Sequence, residues 1–85
     1  MTNEEIIRSN REYTLFSWSV QGTLNPIPVS RAEGVYLWNA EGRRYLDFSS
    51  QLMNVNIGHI HPHVIAAIKE QADQLLYAAP AFATE

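Results

Sequence analysis

The stretch GVYLWNAEGRRYLDFSS, residues 34–50, decides the local fold of this 85-residue chain. Two runs rich in Val, Tyr, Leu, Trp and Phe, residues 35–38 and 43–48, flank the four residues NAEG. Asn39 is suited to open a type I turn, and Gly42 is suited to a left-handed backbone conformation. Apolar runs joined by such a turn predict a β-hairpin.

Residues 1–14, upstream of the hairpin, carry the signals of a short surface helix. Thr2 and Glu5 have capping-box spacing, and acidic side chains suit the N-terminal end of a helix. The apolar residues follow only a weak stripe, as on a helix that lies at the surface. We therefore expect a helix from about residue 3 to residue 13.

Residues 15–34 show no apolar periodicity and are expected to form a loop. Pro26 and Pro28 each restrict the preceding residue to extended geometry, which favours an extended segment or an edge strand at residues 25–30. The large apolar side chain of Trp18 lies on this loop and must be covered by something.

The sequence downstream of the hairpin, NVNIGHIHPHVIAAI, predicts the start of a second helix. Pro62 fits the first helical position with His61 as the cap, and Gly58 allows a tight turn before it. An apolar stripe then predicts a helix over residues 61–77. The preceding LMNVNIGH, residues 52–59, is expected to be a short strand or extended segment, so that residues 35–58 form the hairpin and a strand.

His59, His61 and His63 allow a second interpretation, because alternating histidines on one face of a strand can bind zinc. Pro62 interrupts such a strand and turns the third side chain away from the first two. No carboxylate lies within the cluster, and Asp47 is the nearest one upstream. The helix start is favoured, and no metal ligand is assigned.

Composition and charge exclude several classes of protein. The chain is 46% hydrophobic, has a net charge of −3 and contains no cysteine, which excludes disulfides and cysteine-ligated zinc. The basic residues are scattered, which argues against nucleic acid, and no apolar run approaches the roughly 20 residues of a membrane span. The polar, acidic N-terminus is unlike a signal peptide. We expect a soluble, cytoplasmic protein.

The chain carries more apolar residues than a hairpin and two helices can bury, and its last residues come directly after an apolar, aromatic stretch. A two-stranded hairpin is marginally stable alone. We therefore expect the beginning of a longer protein, or an element that folds only against a partner.

The ordered motifs of residues 34–75 resemble the N-terminal portion of class III aminotransferases. The matching positions are Gly34–Trp38, an acidic turn ending in Gly42, Arg44–Phe48 and the Asn-x-Gly-His-x-His-Pro of Asn56–Pro62. The earlier FSWSVQGTLNPIPV is similar to a loop of the ω-amino acid and amine members of this family.

The resemblance implies an α+β fragment, consisting of the N-terminal helix, the hairpin and the following helix of the small domain of the aspartate-aminotransferase fold (fold type I). It implies a homodimer with pyridoxal 5'-phosphate at the subunit interface. The reaction implied is transfer of an amino group from an amine or ω-amino acid to a keto acid such as pyruvate. The family's Schiff-base lysine and cofactor loop lie beyond residue 85, so no catalytic or cofactor-binding residue is assigned.

Five side chains are candidates for substrate contact by this resemblance: Trp18, Met53, Val55, Tyr77 and Phe82. In the family, LMNVN leads along the substrate pocket with Met53 in its wall, and the loop of Trp18 lines the entrance. The stretch containing Tyr77 and Phe82 reaches toward the neighbouring subunit. Core packing of Met53, loop anchoring by Trp18 and dimer-interface packing of Tyr77 and Phe82 stay open as alternatives.

The charged residues suggest no catalytic group. Lys69 is the only lysine, and its place on the polar side of the second helix predicts a solvated side chain. Arg43 and Arg44 are expected to be solvated or ion-paired, and Asp47 to pair with the hairpin or cap a turn. The family's Schiff-base lysine is not among these residues. A second function therefore stays open, that of a stand-alone or split-protein structural or binding fragment that is not catalytic alone.

Overall fold

The computed structural model describes all residues, 1–85, and has an α+β fold, as predicted. The elements in chain order are α1 (Asn3–Tyr13), β1 (Arg31–Glu33), β2 (Tyr36–Trp38), β3 (Arg44–Leu46), the single turn α2 (Ser50–Met53) and α3 (Pro62–Gln74). No helix is long and apolar enough to cross a lipid bilayer.

The three strands form one antiparallel sheet in the order β1-β2-β3, with Leu37 of β2 opposite Ala32 and Tyr45. The predicted hairpin is confirmed, because β2 and β3 are joined by a turn in which the Gly42 amide donates to the Asn39 carbonyl at 3.2 Å. Gly42 has a φ of +84°, as its place in the turn requires.

The edge strand is residues 31–33 and not the predicted residues 25–30. Pro26 and Pro28 have no amide hydrogen and cannot donate to a strand ladder, so regular pairing begins only beyond them. The Ser30 amide makes the first bond of this edge, to the Trp38 carbonyl at 2.8 Å.

Helix α1 begins with the predicted capping box. The Glu5 amide donates to Thr2 Oγ1 at 3.2 Å, and the Thr2 amide donates to Glu5 Oε2 at 2.7 Å. The bond from the Thr2 amide lowers the pKa of Glu5. Asn3 and Arg11 connect the helix to the rest of the chain, because the Ala40 amide donates to Asn3 Oδ1 and Arg11 donates to the Leu24 carbonyl.

Helix α3 begins at Pro62, as predicted, but it is shorter than the predicted range 61–77. His61 is the N-cap residue, as predicted, but its side chain makes no capping hydrogen bond. At the other end Leu75 is extended, with φ of −158°. Tyr77 therefore lies outside the helix.

The predicted strand at residues 52–59 does not form: residues 50–53 make one turn of left-handed helix, and only His59 is paired, in a single bridge with Gly34. The φ angles of Ser50, Gln51, Leu52 and Met53 are 52°, 51°, 57° and 63°. Leu52 also has a ψ of 47°, the centre of the left-handed region. A non-glycine residue in a left-handed helix costs roughly 1–2 kcal/mol, so contacts outside the turn must hold it.

Apolar side chains stay largely uncovered in this fold. Asn39 is the one buried residue, and no large apolar side chain is fully buried. The helices make no packing contact with the sheet, and the chain extends over 45 × 27 × 25 Å. Val64, Ile68 and Leu75 line an open apolar groove along α3. The fold is thus a hydrogen-bonded framework with exposed apolar faces.

Candidate functional site

An aspartate and a histidine connect the sheet to the segment that was expected to approach substrate. Asp47 follows β3 directly, and its amide donates to the Val35 carbonyl at 2.8 Å. Its Oδ2 lies 2.5 Å from His59 Nε2, and the two side chains are only 4% and 13% exposed. The carboxylate is therefore held between the sheet and the loop that precedes α3.

Hydrogen bonding decides the ionisation of this carboxylate. Desolvation alone would raise the pKa of Asp47, but the bonds from His59 and Gln51 outweigh it, and the pKa lies below its ordinary value. The Gln51 amide donates to Oδ1 at 3.3 Å, so Asp47 caps a turn, as predicted from the sequence. The partner His59 was missed, because the bond joins residues twelve apart across a backbone whose geometry the sequence does not reveal.

The histidine is fixed through its own backbone. The His59 amide donates to the Gly34 carbonyl at 2.8 Å, and the Gly34 amide donates to the His59 carbonyl at 3.1 Å. Gly58 has a φ of +87°, and a Cβ there would lie 3.2 Å from the Gly34 carbonyl oxygen. Gly58 thus provides the predicted tight turn and also lets the two backbone segments approach each other.

Side-chain hydrogen bonds also close the left-handed turn α2. Ser50 Oγ donates to the Val55 carbonyl at 3.0 Å. Asn54 Nδ2 donates to the carbonyls of Gln51 and Leu52 at 2.9 and 3.3 Å. Asn54 therefore holds the loop through its side-chain amide.

The predicted substrate residues fall into two places. Tyr77 and Phe82 line one open groove of about 340 Å³ at the C-terminal end of α3. Trp18, Met53 and Val55 do not line that groove. Met53 is 75% exposed and Trp18 is 92% exposed, so neither is packed in a core or anchored against the hairpin within this chain. Val55 is half-buried. Their contact with substrate stays a prediction.

The arginines of the sheet stack on aromatic rings. The guanidinium of Arg44 lies 4.5 Å from the ring centroid of Tyr36, and that of Arg43 lies 5.1 Å from Tyr45. Both arginines are exposed, as predicted, but they make no ion pair. Such cation–π contacts contribute little at exposed sites, and they add no anion-binding site.

The lysine and the histidines of the chain do not come together in one site. Lys69 is exposed on α3. No group of three or more His, Asp or Glu side chains is arranged to bind a metal ion. His61 and His63 are exposed, and His59 bonds to Asp47. The arrangement can fix the backbone and present apolar side chains.

Comparison with known proteins identifies the family. The model of the family described as Aminotransferase class-III matches residues 18–85, which is most of the chain. The chain therefore belongs to the class III aminotransferases. This finding confirms the resemblance carried by the motifs from Gly34 to Pro62.

Curated relatives and solved structures agree with this assignment. The chain is 40% identical to the mitochondrial ornithine aminotransferase of Oryza sativa subsp. japonica over 84 residues, 96% of this chain and 16% of that protein. It is 44% identical to the 5-aminovalerate aminotransferase DavT of Pseudomonas aeruginosa over 54 residues, 64% of this chain and 13% of that protein. The chain thus spans well under a fifth of the length of these relatives.

The fold of the whole chain recurs in transaminase structures. The taurine:2-oxoglutarate aminotransferase of Bifidobacterium kashiwanohense, in complex with PLP and glutamate, is 44% identical and superposes with a TM-score of 0.89 over 100% of this chain and 19% of that one. An S-selective transaminase from Arthrobacter sp. with alanine bound is 35% identical, with a TM-score of 0.85 over 100% of this chain and 18% of that one.

Proposed function

We propose that this chain is part of a pyridoxal-phosphate-dependent aminotransferase that moves an amino group from an ω-amino acid or amine to a keto acid such as pyruvate. The observation that carries the proposal is the match of the whole chain, in sequence and in fold, to an aminotransferase of known structure. Ornithine, 5-aminovalerate and taurine, named in three of the similar proteins, share a primary amine remote from an acid group. Alanine, bound in a fourth, is the amino acid that corresponds to pyruvate.

The cofactor would be held outside residues 1–85. Pyridoxal phosphate supplies the electron-accepting ring of a transamination and needs a lysine to hold it. Lys69 is exposed on the surface of α3 and lines none of the grooves described above, so it does not fit that role. No step of the reaction is therefore assigned to a residue of this chain.

The contribution of this chain would be to shape the substrate pocket and the subunit interface. Leu52 and Met53, which are 63% and 75% exposed, project from the left-handed turn and suit a pocket wall. The groove of Tyr77 and Phe82 and the apolar stripe of α3 suit a subunit interface. We place this chain in the small domain of a fold type I enzyme that forms a homodimer. The cytoplasmic location stays a prediction.

Amino transfer by the complete natural polypeptide tests the proposed function. The purified protein, supplied with pyridoxal phosphate, is offered 5-aminovalerate, taurine, ornithine and 1-phenylethylamine, each with pyruvate or 2-oxoglutarate. We expect keto-acid-dependent consumption of at least one donor, with formation of alanine or glutamate. Protein that contains the cofactor and transfers no amino group from any of these donors would contradict the proposal and favour a non-catalytic binding or structural role.

The size of the particle in solution tests the homodimer. Light scattering coupled to size exclusion is expected to give twice the mass of the natural polypeptide. A monomeric active enzyme would contradict the interface role of Tyr77 and Phe82, and it would leave the amino transfer itself intact.

A further inference from the structure

We propose that Asp47 and His59 are positioning residues for the amino-donor pocket, because their hydrogen-bonded pair holds α2 in its left-handed conformation and so fixes where Leu52 and Met53 lie. The inference rests on the proposed function and extends it. It assigns a role to two side chains that touch neither cofactor nor substrate in the proposal above.

The pair forms a continuous polar link from the sheet to the left-handed turn. His59 is fixed by its two backbone bonds to Gly34, and its Nε2 donates to Oδ2 of the carboxylate. Asp47 is fixed in turn by its amide bond to the Val35 carbonyl. Its second oxygen, Oδ1, accepts the amide of Gln51, the second residue of α2. Each oxygen of one carboxylate therefore has a defined partner.

The turn needs such a link because its backbone is unfavourable. Four successive non-glycine residues have φ between 51° and 63°, a conformation in which Cβ crowds the following carbonyl. The other side-chain bonds, from Ser50 to Val55 and from Asn54 to the turn, lie within the segment itself. Only the bond to Asp47 ties the turn to the sheet. Strained backbone that is held by surrounding contacts is typical of functional sites.

The side chains that the turn presents are largely exposed. Leu52 and Met53 are 63% and 75% exposed and make no contact with a core, because the chain has none. Their positions therefore follow the backbone of α2. If the turn relaxed to an ordinary extended segment, successive side chains would point to opposite sides, and the wall they form would be lost.

Variants of the complete enzyme test the pair through substrate affinity and backbone protection. Asp47→Ala removes both bonds of the carboxylate, and we expect KM for the amino donor to rise about tenfold or more while kcat changes by no more than about twofold. Glycine adopts left-handed backbone without penalty, so Gln51→Gly in the Asp47→Ala background should recover much of the loss. Gln51→Ala in the same background keeps the penalty and should recover nothing. His61→Ala, a neighbouring exposed histidine without a side-chain bond, is the control and should match the wild type.

Hydrogen exchange provides the readout that does not depend on activity. The amides of residues 51, 53, 54 and 55, all bonded in the wild type, should exchange faster in Asp47→Ala, while those of α3 keep their rate. If the wild-type protein transfers no amino group, the proposed function is refuted. The exchange rates in Asp47→Ala would still show whether Asp47 holds α2.

Two results would overturn the inference. One is unchanged KM and unchanged exchange of residues 51–55 in Asp47→Ala. The other is a parallel loss of kcat, cofactor content and α3 protection that Gln51→Gly does not relieve, which would mean a general folding role. If Asp47→Ala yields no folded enzyme, His59→Gln and His59→Ala replace it. Glutamine keeps a hydrogen-bond donor, so KM for the amino donor in His59→Gln should stay within about threefold of the wild type, whereas KM in His59→Ala should rise further. An equal rise of KM in both variants would also overturn the inference.

Discussion

The hairpin and the segment that follows it, residues 47–61, obtain their shapes from different sources. In the hairpin the turn residues themselves determine the backbone, since Asn39 and Gly42 provide the capping oxygen and the left-handed position. In residues 47–61 the backbone adopts conformations that its own residues disfavour, in α2 and also at Ile60, where φ is 53°. Side-chain hydrogen bonds of Asp47, Ser50 and Asn54 hold this backbone from within the segment, and backbone bonds to Val35 and Gly34 tie it to the hairpin. The hairpin is therefore stable through its turn residues, whereas residues 47–61 depend on side-chain bonds between residues that lie apart in the chain, such as Asp47 and His59.

Both regions lack a buried apolar core, and the largest expected effect, on the folding of the isolated chain, follows from this lack. Neither contributes to a buried apolar core, since no large apolar side chain is fully buried in residues 1–85. A domain without a core cannot offset the entropy of ordering the chain. We expect the isolated 1–85 polypeptide to show no cooperative thermal transition by circular dichroism. A sharp transition with well-dispersed amide NMR signals would contradict this expectation.

The hairpin is expected to depend most on Asn39, which is 6% exposed. Its Oδ1 accepts the amides of Glu41 and Arg43 at 3.1 and 2.8 Å. Asn39→Ala leaves these amides without their partner and should destabilise the turn by about 1–3 kcal/mol, measured as hydrogen exchange of the hairpin amides in the complete protein. Asn39→Asp keeps the acceptor, and the exposed Asn25→Ala is the control. Equal protection in all variants would mean that the strands alone hold the turn.

Residues 47–61 should be sensitive to acid through Asp47. Because the pKa of Asp47 is lowered in the folded protein, the carboxylate stabilises the fold at pH above its ordinary pKa of 3.8, and this contribution is lost as pH falls below that value. The difference in unfolding free energy between wild type and Asp47→Asn should therefore shrink on acidification below about 3.8. Parallel stability curves for the two proteins would contradict the assignment.

The smallest expected change in stability concerns the N-terminal ends of α1 and α3, where Thr2 and His61 form a matched pair of cap residues. Thr2→Ala removes the capping box of α1 and should cost about 1 kcal/mol of local stability, seen as faster exchange in the first turn. His61 stands at the same position of α3 without a side-chain bond, so His61→Ala should change stability by less than about 0.5 kcal/mol. Equal costs at both caps would mean that His61 does cap α3 in solution.

The elements that could be predicted from the sequence are those whose signals are local. The capping box of Thr2 and Glu5, the turn of Asn39 and Gly42, and Pro62 at a helix start each act within a few residues. The edge strand was misplaced because strand pairing depends on a partner, β2, rather than on extended geometry alone. The left-handed α2 was missed because its residues prefer ordinary conformations, and the contacts that overrule them come from Asp47.

In the candidate site, too, only the features that depend on residues close in the chain could be predicted from the sequence. Tyr77 and Phe82 lie close in the chain, so their shared groove follows from the short distance between them. The pair of Asp47 and His59 depends on the bridge between Gly34 and His59, which brings distant segments together. No pattern in a single sequence indicates that bridge. The family could be identified because the motif series is ordered and long, whereas the position of each side chain needs the structure.

Donor selectivity of a Met53 variant tests most directly the claim that this chain shapes the substrate pocket. The measurement is the ratio of kcat/KM for 5-aminovalerate to that for 1-phenylethylamine in the complete enzyme, for wild type and Met53→Ala. A pocket-wall side chain is expected to change this ratio by about tenfold, because removing apolar contact affects the two donors unequally. A ratio that is the same in both proteins, with cofactor content unchanged, would contradict the account and leave Met53 an exposed side chain without a part in recognition.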